Sequence, residues 1–115
     1  MYARVFTIEG QREQLDDFGR TGEEKVLPAL RRLDGFEGLL VLANHQNGRI
    51  LVVTFWESEE AMRGGEEASH WFRAFSAKVA GGKVTNVDRY EVVYSETEDN
   101  TASTGAQDYG SIDAR

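Results

Sequence analysis

The stretch Ile50-Leu51-Val52-Val53-Thr54-Phe55-Trp56-Glu57-Ser58-Glu59-Glu60-Ala61-Met62 changes its periodicity halfway along. From Ile50 to Trp56 every residue is aliphatic, β-branched or aromatic, the pattern of a strand buried on both faces. Ser58 then suits a helix N-cap, and Glu59 and Glu60 put negative charge where the helix dipole favours it. A buried strand therefore feeds directly into a capped helix.

Working outward, Phe36 to Ala43 and Arg49 to Glu57 are two apolar runs joined by Asn44-His45-Gln46-Asn47-Gly48. Asn-Gly is a strong turn signal, so the pair reads as an antiparallel hairpin. Upstream, Tyr2, Arg4, Phe6 and Ile8 alternate with Ala3, Val5 and Thr7, a first strand closed by Glu9-Gly10. Leu15, Phe18, Val26, Leu30 and Leu33 then form the stripe of an amphipathic helix over about 12–33. Pro28 removes one of its backbone hydrogen bonds and crowds the carbonyl four residues earlier, which predicts a bend near Glu24, softened by Gly19 and Gly22. Asp34-Gly35 ends the helix, with glycine taking the left-handed position. Downstream, Ala61, Gly65, Ala68, Phe72, Phe75 and Val79 make one stripe of a second helix that stops at Gly81-Gly82. Val84 to Tyr94 is the last strand, its alternation broken around Val87-Asp88-Arg89 as at a β-bulge. Residues 95–115 are acidic and poor in large apolar side chains, the composition of a flexible tail.

At 115 residues the chain has room for one domain, here residues 1–94, with a core of modest size. Its formal charge of -7, with no Lys/Arg cluster beyond Arg31-Arg32, argues against nucleic acid and against an anionic membrane as partners. The absence of cysteine excludes disulfides, thiolate nucleophiles and thiolate metal sites, and no run of about 18 apolar residues is present. A strand-like start without an apolar leader, together with this composition, points to a reducing cytoplasm.

The order strand, helix, strand, strand, helix, strand predicts an α+β, ferredoxin-like βαββαβ domain: an antiparallel sheet with both helices on one face. Both faces of the hairpin strands are apolar, Ile50, Val52 and Trp56 on one side and Leu51, Val53 and Phe55 on the other. Two helices cover only one set, so a homodimer pressing the open sheet faces together is the economical solution.

Five segments in this order, Tyr-Ala-Arg-Val at 2–5, Val-Leu-Pro-Ala-Leu at 26–30, Gly-Phe-Glu-Gly at 35–38, Trp-Glu-Ser-Glu-Glu-Ala at 56–61 and Asp-Arg-Tyr-Glu-Val at 88–92, resemble the antibiotic biosynthesis monooxygenase domain. The resemblance covers residues 1 to about 94. It implies a dimeric α/β barrel with a pocket between each sheet and its helices. It also implies a class of enzymes that oxidise aromatic polyketides with dioxygen and no cofactor, beside relatives that degrade haem. Trp56 matches the family tryptophan that lies in the pocket of the polyketide oxidisers. Where those enzymes carry an asparagine four residues earlier and a tyrosine six later, this chain has Val52 and Met62, and Arg73 is the nearest counterpart of their arginine on the second helix. The haem degraders place an asparagine late in the first strand and a histidine ten residues after the tryptophan. Here those places fall at Phe6 or Thr7 and at Glu66, with His70 one turn further on.

The resulting candidates are Trp56, His70 and Arg73 for catalysis and Phe6, Val52, Met62, Phe72 and Tyr90 for holding an apolar or aromatic small molecule, with no metal and no cofactor. Each has a plainer reading. A strand-end tryptophan anchors cores and interfaces, His70 fits a helix edge, and tyrosines are routine at dimer seams. Arg4 and Arg89 suit ion pairs, and Glu59, Glu60, Glu66 and Glu67 suit a solvated helix face. Beside the oxygenase stands the alternative of a non-catalytic ligand-binding or structural homodimer of the same fold.

Overall fold

Apolar side chains, alternating in β1 and continuous in β2 and β3, build a sheet of four strands: β1 (Tyr2–Glu9), β2 (Phe36–Ala43), β3 (Arg49–Trp56) and β4 (Lys83–Glu91). In the computed structural model, which describes residues 1–96, they form one antiparallel sheet in the order β2-β3-β1-β4. This is the expected α+β arrangement. The tail expected over 95–115 lies outside the described residues from position 97 on.

Register decides which side chains meet. Phe6 pairs with Val52, Ile8 with Ile50 and Arg4 with Thr54, so the even-numbered residues of β1 and β3 share the face under the helices. Phe6, Ile8, Ile50, Val52 and Trp56 are all buried there. Leu40 pairs with Val53 and Leu42 with Leu51 on the opposite face, where both leucines are exposed. The bulge in β4 falls between the pairs Thr7–Asn86 and Ile8–Val84, so Thr85 is the extra residue. It lies just before Val87-Asp88-Arg89, whose own pairing with β1 is regular.

The first helical stretch is divided where Pro28 requires it. After a 3₁₀ turn at Arg12–Gln14 come α1 (Leu15–Thr21), a π-helical turn at Gly22–Val26 and α2 (Leu27–Leu30). Pro28 has no N–H to donate, and the widened turn containing Glu24 takes up the lost bond. Gly35 follows with φ 77°, the left-handed conformation expected after the helix.

The second helix is two helices. Ser58 Oγ accepts the Ala61 N–H at 3.0 Å and caps α3 (Glu59–Gly64), while α4 (Glu66–Ala80) restarts after Gly65. The reason lies beneath the break: a Cβ on Gly65 would come within 2.6 Å of the Trp56 ring. A continuous helix with a side chain at this point would collide with the indole. Phe72 of α4 meets Phe6 edge-on at 5.4 Å, a contact contributing about 0.5–1.5 kcal/mol beyond the area it buries. On the outer side of α4, Trp71 is 53% exposed and stacks on Phe75 at 5.3 Å.

Candidate functional site

Trp56 closes β3 with no exposed surface, because it is enclosed on several sides. Phe36 at the start of β2 meets it edge-on at 5.6 Å, Gly65 lies against its far edge, and the Arg4 guanidinium stands 5.5 Å from its ring centre. The indole Nε1 donates to Thr54 Oγ1 at 3.0 Å, which satisfies its one polar atom. A desolvated guanidinium over an indole is worth about 2 kcal/mol.

Arg4 is buried in the middle of β1 and organises the polar part of the interior. It donates to Ser69 Oγ, to the Met62 carbonyl and, at 2.8 Å, to Glu66 Oε2. Glu66, Ser69 and Arg73 lie on one stripe of α4, at spacings of three and four, so a single helix face delivers all three to the sheet. Arg89, directly opposite Arg4 across the β1–β4 pair, donates to Glu66 Oε1 at 2.7 Å, and Arg73 reaches the same oxygen at 3.4 Å. Burial pushes the Arg4 pKa below the usual guanidinium range, an effect only partly opposed by Glu66. Burial would raise the Glu66 pKa, but the hydrogen bond from Arg89 and the charges of Arg4, Arg89 and Arg73 outweigh it and leave the carboxyl below its ordinary value. The solvated-face reading of Glu66 is therefore corrected: the restart of the helix after Gly65 puts this glutamate over β1 and β4.

Phe6, Val52, Met62 and Phe72 are buried with Trp56 between sheet and helices, so five of the eight candidates come together. Arg73 stands at the edge of that group through Glu66. His70 is exposed on α4. Tyr90 pairs with Ala3 and projects from the opposite sheet face, where its hydroxyl bonds Asp88 Oδ2 at 3.3 Å. The Asp88 charge holds the Tyr90 phenol above its usual pKa, with lesser contributions from burial and the hydrogen bond, so it stays protonated.

A cleft of about 410 Å³ opens between α2 and β2, lined by Leu27, Arg31, Phe36, Glu37, Gly38 and Leu39. None of the sequence-derived candidates lines it, yet Phe36, one of its walls, is the ring that packs on Trp56. The hints in the sequence are Gly-Phe-Glu-Gly at 35–38 and Leu27 in Val-Leu-Pro-Ala-Leu at 26–30, which stand out there as family segments rather than as walls. The residues present do not fit haem ligation. Glu66, at the place of the haem degraders' histidine, is held by three arginines, and His70 faces outward. No group of three or more His, Cys, Asp or Glu side chains suited to a metal ion occurs among the described residues.

The sequence matches the family described as antibiotic biosynthesis monooxygenase over residues 1–78. An uncharacterized protein of Mycobacterium tuberculosis is 31% identical over 102 residues, 89% of this chain and 45% of that protein. A second from the same organism is 39% identical over 67 residues, 58% of this chain and 28% of that protein. The chain thus spans less than half the length of these curated relatives. Among solved structures, the monooxygenase from ActVA-Orf6 of Streptomyces coelicolor, in complex with nanaomycin D, superposes with a TM-score of 0.66 at 17% identity, covering 85% of this chain and 92% of that one. The haem degrader MhuD of Mycobacterium tuberculosis, with two haems in its active site, gives a TM-score of 0.61 at 22% identity, covering 84% and 100%. At such identities the likeness is one of fold.

Proposed function

The chain belongs to the antibiotic biosynthesis monooxygenase family, and on that premise we propose that it forms a homodimeric oxygenase which takes an aromatic or polyketide-like small molecule between sheet and helices and oxidises it with dioxygen, without a cofactor. The observation that carries this reading is the cleft at Phe36, an opening with apolar walls at Leu27, Phe36 and Leu39 and charged ones at Arg31 and Glu37, in which the Phe36 wall is also the cover of Trp56. A swing of the Phe36 ring joins the cleft to the indole. Leu27, Phe36 and Leu39 hold the rings of the substrate, Arg31 faces its developing phenolate, and Glu37 accepts the proton. An electron-rich enolate or phenolate then reduces dioxygen itself: a substrate CH2 and O2 give a carbonyl and water, all four electrons coming from the substrate. What remains for the protein is to bind, orient and deprotonate. A charge of -7 and the absence of cysteine suit a reducing cytoplasm with no nucleic acid as partner. Among the described residues no helix is long and apolar enough to cross a membrane.

Oxygen uptake with a panel of polycyclic phenols tests the reading. Turnover is expected from the unmodified protein, with a loss of about tenfold or more in Trp56→Phe and in Arg31→Ala. A second reading, a binding dimer without turnover, is favoured by the sealed state of Trp56, whose one donor is already used by Thr54. It predicts that the same phenols raise the melting temperature while oxygen is not consumed. Neither stabilisation nor uptake with any member of the panel would sink both.

A further inference from the structure

Across the sheet from the cleft, three arginines share one carboxylate. Arg4 and Arg89 are direct neighbours across an antiparallel pair, an arrangement of like charges that is unfavourable by itself. Arg73 comes down onto them from α4, and Glu66 is the acid bonded to all three. The local balance is three positive charges against one negative. Donors are in excess too: Arg4 Nε and Arg73 Nη1 are buried with no partner, although Arg4 is itself 99% enclosed, its side chain exposing 1%. An unpaired buried guanidinium nitrogen is costly, and a carboxylate is the acceptor that best matches a guanidinium.

We propose that Arg73 and Arg89, beside Glu66, form a binding site for the carboxylate group of a small organic acid. Both arginines already donate to a single oxygen, Glu66 Oε1, so their donors converge within the span of one carboxylate, and planar guanidinium forks suit that geometry. The hold of Arg73 on Glu66 is long, 3.4 Å; Arg89 and Glu66 are 45% and 40% exposed while Arg73 is 13% exposed, so the incoming group approaches from solvent on the Arg89 side, along the rim of α4. Arg4, tied to Ser69, Met62 and Glu66, stays in place and adds its charge from below. Glu66 acts as an internal competitor that holds the arginines in position when no ligand is bound. The site is separate from the cleft and does not depend on any oxidation there.

Thermal melts in acetate or benzoate, with ionic strength held constant by chloride, provide the test. Both carboxylates are expected to raise the melting temperature saturably, and the dissociation constant follows from the concentration dependence. Arg73→Gln and Arg89→Gln weaken binding about tenfold or more, whereas Glu66→Gln, which removes the competitor and keeps every arginine, tightens it about tenfold. Arg63→Gln, a change to an exposed pair with Glu59, leaves binding unchanged and controls for net charge. If an arginine variant unfolds, the opposite sign expected of Glu66→Gln still decides the matter. Chloride matching acetate at equal ionic strength, or unchanged or weaker binding by Glu66→Gln, overturns the site.

Discussion

Trp56 shows what a residue-level reading can and cannot reach. Its place at the end of an apolar strand marks it as important, and it is the largest of the fully buried side chains among the described residues. What encloses it, however, comes from β1, β2 and the helix break, so no local pattern could show Arg4 above its ring or Gly65 at its edge. Gly65→Ala is expected to destabilise the protein by about 1–3 kcal/mol in urea unfolding, because the new methyl has only the indole to push against. Glu66 was less legible still: in a run with Glu59, Glu60 and Glu67 it looks like one more surface acid. Its lowered pKa has a consequence that can be checked. The stabilisation it brings is present above the unfolded value, about 4.3, and disappears as pH falls through the lower folded value. The stability difference between the native protein and Glu66→Gln is therefore expected to shrink in acid, measured by urea titrations from pH 6 downward.

At the scale of elements, the four strands, the two helical stretches and their order could be read from the sequence, because each has its own apolar pattern and the turns carry Asn-Gly, Asp-Gly and Gly-Gly. The internal breaks were partly hidden. Pro28 announced a bend near Glu24, since proline lacks a donor of its own, and the π-helical turn at Gly22–Val26 is the form that the irregularity takes. The break between α3 and α4 did not announce itself: Gly65 lies on the apolar stripe and looks like a small core residue. Its cause is a tertiary contact. The Ser58 cap is a local device, and Ser58→Ala is expected to cost about 1 kcal/mol in chemical denaturation, through loss of the bond to the Ala61 N–H.

For the whole molecule, the sheet divides the chain into a covered face and an open one. Leu40, Leu42, Val53, Phe55 and Val5 share the open face by register, with Tyr90 and Asp88 at its β4 side. The unbroken apolar runs of β2 and β3 disclosed that both faces are apolar, while the site remained largely illegible because His70, Tyr90 and Arg73 take their directions from packing rather than from spacing. A homodimer built on this face is expected to dissociate in the double variant Leu40→Asp, Leu42→Asp. Sedimentation velocity at micromolar concentration reads the loss, and circular dichroism checks that the fold persists. A native protein that sediments as a monomer would remove the dimer from the proposal. The two tryptophans, finally, sit in opposite surroundings, Trp56 sealed and Trp71 half in water on the back of α4. Iodide or acrylamide therefore quenches the red-shifted emission of Trp71 and leaves the blue-shifted signal of Trp56. That residual fluorescence is an intrinsic optical test of the proposed swing of Phe36: if ligands draw the ring off the indole, the Trp56 signal shifts to the red and becomes quenchable, in the unlabelled protein.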